Sequence, residues 1–137
     1  MSVSPYLYFD GDCAAAFAFY AEVLGTAPPY VMTYGQAPVE HEMSPDLKDK
    51  VIHASLTVGN TVLMASDAPP DRYSKPAGFS VSYTAASVED GAAKFAALAE
   101  GGAVILPYGK TFWSDGFGML VDKFGISWMV SQPPVAA

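Results

Sequence analysis

The sequence predicts an α+β fold made of two βαβββ modules whose curved mixed sheets surround a cavity. Three observations point to it. The order strand, helix, strand, strand, strand occurs twice, apolar residues keep their spacing between the copies, and two short helices cannot cover both faces of such sheets. The chain has 137 residues, 51% of them hydrophobic, with eight Tyr, eight Phe and two Trp, which suffices for a buried core. Its 11 Pro and 12 Gly suit a strand-rich fold with many turns. We expect one domain, with module one at about 1–67, a connection at about 68–77 and module two at about 78–131.

The first module opens with an aromatic-rich strand over Pro5 to Phe9. Asp10-Gly11-Asp12 then turns the chain, with Asp12 placed to cap a helix. Helical spacing of Cys13, Ala16, Phe17, Tyr20, Val23 and Leu24 predicts a helix over 13–24 that Gly25 stops. Tyr30 to Tyr34 reads as a strand, and the polar, acidic stretch from Gly35 to Lys50 as a long loop. Val51 to Val58 and Thr61 to Ser66 form a hairpin around Gly59-Asn60, a suitable two-residue turn. Three prolines, Pro69, Pro70 and Pro76, mark the connection that follows.

The second module repeats this order. Phe79 to Thr84 is a strand, and Ser87 caps a helix whose apolar face holds Val88, Ala92, Phe95 and Leu98. Gly101-Gly102 ends it. Val104 to Pro107, Phe117 to Val121 and Ile126 to Ser131 are strands, the last two joined by a turn at 122–125. Tyr8 matches Tyr83 and Tyr20 matches Phe95, each at a spacing of 75 (83−8 and 95−20), while Met64 matches Met129.

Strand alternation assigns the faces. With Val58 opposite Thr61, Ser55 opposite Met64 and His53 opposite Ser66, one face carries His53, Ser55, Thr57, Val62, Met64 and Ser66. Ala54, Leu56, Val58, Leu63 and Ala65 suit the side under a helix. In module two Phe79, Val81 and Tyr83 belong to the helix side, leaving Ser80, Ser82 and Thr84 facing inward, and Ser127, Met129 and Ser131 alternate against Ile126, Trp128 and Val130. A slip of one residue would reverse each assignment.

Charge narrows the partners. The net charge is −7, so the lysine and arginine surface that displaces counterions from nucleic acid is missing. No apolar run approaches the ~20 residues of a membrane helix, and the N-terminus lacks the basic-then-apolar pattern of a secretory signal. A single cysteine, Cys13, forms no internal disulfide, so a reducing, cytoplasmic setting is expected.

Three stretches then carry a resemblance: PYLYFDGDCAAAFAFYAEVL at 5–24, VIHASLTVGNTVLMASD at 51–67 and TFWSDGFGMLVDKFGISWMVS at 111–131. Together the chain resembles the PhnB-like branch of the glyoxalase/bleomycin-resistance/extradiol-dioxygenase superfamily, the vicinal oxygen chelate proteins. The resemblance implies paired βαβββ modules, a homodimer and a concave site in each sheet. Enzymes of the superfamily place His, Gln or Glu metal ligands at four strand positions, and matching by landmarks puts these at Pro5, Met64, about Ser80 and Met129. Two thioethers, a hydroxyl and a proline do not make an N/O metal site, so neither a metal nor another cofactor is expected. Some relatives are labelled as ubiquinone-pathway methyltransferases, but the sequence has no glycine-rich nucleotide loop after a strand.

His53 is the leading catalytic candidate, since it lies on the inferred cavity face and histidine as a residue type titrates near neutral pH; the alternative is a hydrogen-bonded strand residue. Ser55, Met64, Ser80, Trp113, Asp115, Ser127 and Met129 are the candidate ligand-binding residues. Trp113 would stack on a planar ligand and Asp115 would hold a cation, or Trp113 packs in the core or against a second copy. His41, between Glu40 and Glu42, stands as a possible metal ligand or as part of a solvated loop, Tyr34 as a lid residue or a strand end, and Cys13 as a helix-terminal thiolate or core packing. The reading that follows is a small-molecule binding protein without the usual metal site. A lyase or isomerase using His53 as general base, sequestration of a cationic antibiotic, and a pure interaction module are the alternatives.

Overall fold

Strand, helix and three strands follow one another twice in the computed structural model, which describes residues 1–37 and 45–132. The chain divides into two units, Met1–Ser74 and Lys75–Ala137, and the boundary falls inside the proline-bearing connection. Each unit contains one helix and one four-stranded mixed sheet, an α+β arrangement.

The first unit holds β1 (Tyr6–Phe9), α1 (Cys13–Leu24), β2 (Tyr30–Thr33), β3 (Val51–Val58) and β4 (Thr61–Asp67). The sheet order is β1-β4-β3-β2, with β1 parallel to β4 and the other neighbours antiparallel. Gly59 takes φ 58°, as the two-residue hairpin requires, and the ladder pairs Val58 with Thr61 and Ser55 with Met64 as expected. Leu7, Phe9, Ala54, Leu56, Leu63 and Ala65 are buried on the side that faces α1, where they meet Cys13, Ala16, Phe17, Tyr20 and Leu24. Short 3₁₀ turns, Tyr34–Gln36 and Pro45–Leu47, occupy the described parts of the expected loop.

The expected cap on α1 is corrected by the structure. Asp12 makes no side-chain cap hydrogen bond. The first helical amide, Cys13 N–H, donates instead to Oδ1 of Asp67 at 2.9 Å, and Val51 N–H donates to Oδ2 of the same carboxylate at 2.8 Å. Asp67 ends β4, and because β4 runs parallel to β1 its side chain arrives where β1 hands over to the helix. Local sequence favours Asp12, but a buried carboxylate from the neighbouring strand has already taken the orphan donor.

The second unit holds β5 (Val81–Thr84), α2 (Val88–Ala99), β6 (Ala103–Gly109), β7 (Phe117–Val121) and β8 (Ser127–Ser131), in the order β5-β8-β7-β6. Here the local cap holds: Ser87 Oγ accepts from Asp90 N–H at 3.0 Å. The helix face differs from expectation at one position, because Gly91 is buried and Ala92 is exposed. Tyr108 on β6 explains the glycine. Its hydroxyl donates to Val88 O at 3.0 Å and fills the space that a Cβ at Gly91 or Gly116 would need. Gly118 serves the same packing, since a Cβ there would stand 2.7 Å from the Phe95 ring.

The repeat is real, but its register shifts between elements. The helices match at a spacing of 75, so that Tyr20 and Phe95 are both buried. The first strands match at 76 (82−6), because Tyr6 pairs with Met64 and Ser82 pairs with Met129. Tyr8 therefore corresponds to Thr84 and not to Tyr83. One residue fewer in the second strand-to-helix turn accounts for the difference.

Among the described residues, no helix is long and apolar enough to cross a membrane. The double role of Asp67 gives the first test. Asp67→Ala leaves two amides without their acceptor and is expected to lower the unfolding free energy by about 3 kcal/mol, whereas Asp12→Ala should change it by less than about 0.5 kcal/mol. Urea denaturation of both variants measures the contrast, and equal losses would remove Asp67 from this role.

Candidate functional site

In the first unit the sheet face turned away from α1 collects the chemistry. Register places Tyr6 beside Met64, Met64 beside Ser55, and Ser55 beside Tyr30 in one row across all four strands. Tyr8 beside Ser66 and His53 beside Met32 lie along the next row. Alternation follows, since Leu7 and Phe9 are buried on the helix side while Tyr6 and Tyr8 stay 36% and 54% exposed.

His53 is half-buried in this face. The Tyr6 hydroxyl lies 3.3 Å from its Nδ1, and the two rings stand 5.9 Å apart with a 35° tilt. Tyr8 packs on Tyr6 at 5.1 Å. None of Tyr6, Tyr8, Tyr30, Met32, His53, Ser55, Thr57, Val62, Met64 and Ser66 carries a formal charge at neutral pH with histidine neutral. The face can therefore hold an apolar or planar body through its rings and thioethers, and orient it through an imidazole and hydroxyls.

The structure brings His53, Ser55 and Met64 together on this one face. Ser127 and Met129 share the corresponding face of the second sheet with Ser82, which pairs with Met129. Ser80 precedes β5, which begins at Val81, so Ser82 rather than Ser80 stands beside Met129. Trp113 packs edge-on against Phe112 at 4.6 Å and Phe117 at 5.4 Å, and Asp115 is exposed in the same loop. That loop is held by Ser114, whose buried hydroxyl donates to Gly116 O at 2.7 Å. His41 lies outside the described residues.

Sequence reasoning missed Tyr6, Tyr8, Tyr30 and Met32 as members of the face. The signal was present in the alternation of Tyr6-Leu7-Tyr8-Phe9, where hydroxylated and plain apolar side chains take turns. Tyr34 is anchored, not free: its hydroxyl donates to Asp67 O at 3.0 Å. Burial, then the Asp67 carboxylate and Tyr6, push its pKa up against a smaller opposing pull from Arg72, so it remains a donor.

The ligand positions implied by the superfamily do not suit a metal of the usual kind. Pro5 precedes β1 and offers its carbonyl to Met64 N–H at 3.1 Å, which leaves no side-chain donor there. The paired face positions are Tyr6 with Met64 and Ser82 with Met129, and thioethers with hydroxyls are a poor set for Zn²⁺, Ni²⁺ or Fe²⁺. Among the described residues no three His, Cys, Asp or Glu side chains gather into a metal-holding group. A separate cleft of about 410 Å³ opens in the first unit beside the β1–α1 turn, lined by Asp10, Gly11, Asp46, Lys50, Pro70 and Asp71 among others.

Comparison with known proteins agrees with this architecture. A profile described as Glyoxalase/Bleomycin resistance protein/Dioxygenase superfamily matches residues 2–130. The chain is 34% identical over 139 residues to Protein YjdN of Escherichia coli, covering 96% of this chain and 95% of that one. It is similar to the crystal structure of protein PA1353 from Pseudomonas aeruginosa, with 42% identity and a TM-score of 0.87 over 96% of this chain and 97% of that one. A Bacillus cereus structure titled putative 3-demethylubiquinone-9 3-methyltransferase, PhnB protein, is 26% identical, with a TM-score of 0.78 over 96% of this chain and 99% of that one.

Cys13 falls on the packing side of its two alternatives. It is fully buried, and burial first and the Asp67 carboxylate second push its thiol from 9.0 up to about 12. The fold thus holds the neutral thiol. This contribution is complete below pH 9.0 and is lost as pH rises toward about 12. The urea midpoint of the wild type should therefore fall more steeply over that window than the midpoint of Cys13→Ala. At about pH 8 the native thiol should resist Ellman's reagent and react only on unfolding, and rapid native labelling would contradict its burial.

Proposed function

The chain belongs to the Glyoxalase/Bleomycin resistance protein/Dioxygenase superfamily and to its PhnB-like branch, and we propose that it binds a small molecule without the usual metal site. The observation that carries this reading is the open face around His53. It sets one imidazole among tyrosines, serine hydroxyls and methionines, with no formal charge on its strand positions. Apolar area there supplies affinity, and few polar groups fix orientation. The corresponding positions of the second unit, Ser82, Ser127 and Met129, have the same character. Ser80, Trp113 and Asp115 remain part of the proposed ligand-binding set.

The other readings need features that this face lacks or leaves undetermined. Capture of a cationic drug calls for carboxylates, and in the first unit Asp10, Asp46 and Asp71 line the separate cleft instead. A methyltransferase, the activity in the Bacillus cereus title, would need a nucleotide-binding loop of which the sequence has no glycine-rich form. A lyase or isomerase would use His53 as general base, which depends on the imidazole nitrogen that carries the proton.

We further propose that the chain works as a homodimer in a reducing cytoplasm. Val104, Ile105 and Leu106 on edge strand β6 are 50%, 59% and 39% exposed, and Phe112 is 97% exposed. Val104 pairs with Leu120 and Leu106 with Met119, neighbours that point to opposite faces of β7, so this strip is uncovered on both sides, and a two-fold contact would bury it in both copies at once. Pro107 removes an amide donor from the free edge, which favours face-to-face burial over strand addition. The single cysteine, buried as a thiol, suits a compartment without disulfides.

Thermal-shift screening of a metabolite library, followed by calorimetry on the hits, tests the binding site. His53→Ala and Met64→Lys should each weaken a hit by at least about tenfold, or roughly 1.4 kcal/mol, and should leave the metal content of purified protein unchanged. Stoichiometric metal that disappears with His53→Ala would reverse the reading. Light scattering should give a dimer mass that Ile105→Glu reduces to the monomer, and a monomeric wild type would remove the assembly.

A further inference from the structure

We infer that Tyr6 is a positioning residue that holds the His53 proton on Nε2, so that this face offers its ligand a hydrogen-bond donor and not a base. The ligand part of the inference rests on the small-molecule reading above, while the tautomer rests on the contact itself and on the chemistry of its two partners. β1 and β3 flank β4, so Tyr6 reaches His53 across the full width of that strand. The β4 residues on the same face are Met64, which pairs with Tyr6, and the short Ser66, which pairs with Tyr8. Tyr8 against the Tyr6 ring at 5.1 Å restricts where the hydroxyl can go.

The 3.3 Å contact between the Tyr6 hydroxyl and His53 Nδ1 has two possible directions. A phenol is the better proton donor of the pair, and an imidazole nitrogen is the better acceptor, so the hydroxyl donates to Nδ1. That assigns the ring proton to Nε2, which is also the tautomer a neutral histidine side chain prefers in water. Tyr34 does not compete, because its hydroxyl is committed to Asp67 O at 3.0 Å. Among the described residues the His53 side chain makes no other hydrogen bond. Nε2–H is therefore left to a ligand, and the group it recognises is an acceptor oxygen such as a carbonyl or carboxylate.

The test is the ¹⁵N spectrum of His53 in protein labelled at histidine, recorded above the pH at which imidazolium forms, in a His41→Gln background that leaves one histidine. The wild type should show a protonated Nε2 and an unprotonated Nδ1 whose signal is shifted upfield by an incoming hydrogen bond. Tyr6→Phe should move Nδ1 downfield toward the free pyridine-type position, and its circular dichroism serves as the folding control. A proton on Nδ1 in the wild type overturns the inference, and so does an Nδ1 signal that Tyr6→Phe leaves in place. Titration with benzoate and with benzylamine then separates the ligand from the tautomer. A shift of Nε2 with benzoate alone supports recognition of an acceptor oxygen, and a shift with benzylamine alone contradicts it. No response to either probe counts against the small-molecule reading, while the tautomer is still decided by the spectrum.

Discussion

The buried carboxylate of Asp67 is the contact on which the first unit depends. Only 2% exposed, it accepts from Cys13 N–H at the start of α1 and from Val51 N–H at the start of β3. Its own backbone carbonyl takes the Tyr34 hydroxyl. One residue at the end of β4 therefore fixes where the helix begins, where the central strand begins and how the chain returns from β2. A buried carboxylate is costly to desolvate, and charge-assisted bonds to two otherwise orphaned amides offset that cost. Burial first and this same charge second keep the Cys13 thiol protonated, so the helix N-terminus that could have activated a cysteine is occupied by a fixed anion instead.

The second unit solves the same problem with different parts. Gln132 stands three residues past Met129, as Asp67 stands three past Met64, but its buried Oε1 has no partner among the described residues. Ser87 caps α2 by itself, and Ser114 Oγ accepts from Gly116 N–H just before β7 at 3.2 Å. Asp122 supplies the buried carboxylate of this unit further along, accepting from Phe124 N–H, Ile126 N–H and Trp128 Nε1–H. The tyrosine strut adds to this, since Tyr108 binds Val88 O and its pKa is pushed up by burial, then by Glu89 and Asp90, which preserves the donor. Two copies of one topology thus differ in which polar group carries each terminus.

This difference explains what the sequence discloses and what it withholds. Helix spans, the Gly59-Asn60 hairpin and the inward set on β3 and β4 are legible because period and turn chemistry are local. The Asp12 cap is misread because the competitor lies 54 residues away in sequence and is brought close only by the parallel β1–β4 pairing. The match of Tyr8 with Tyr83 fails because residue identity is weaker than register, and the pairing of Met129 with Ser82 overrides it. Gly91 in place of Ala92 depends on a tyrosine hydroxyl from β6, which no helical periodicity contains. For the site, His53, Ser55 and Met64 follow from alternation, while the aromatic side chains that complete the face needed the strand order β1-β4-β3-β2 to bring them alongside.

The groups that hold the fold and the groups that line the face are almost separate sets. Support comes from the helix side and the strand ends, through Leu7, Ala54, Leu56, Asp67 and the residues of α1. Most side chains of the open face are half-buried or exposed, so they are less tied to the sheet's packing than the buried residues of the helix side. This is how the two sheets can carry Met64 beside Tyr6 and Met129 beside Ser82 on their open faces, close to the places where the resemblance expects metal ligands. The imidazole that remains is not at one of those places. It sits on β3, two residues after the Val51 amide that Asp67 holds, so the anchor of the fold also sets the position of the imidazole on the face.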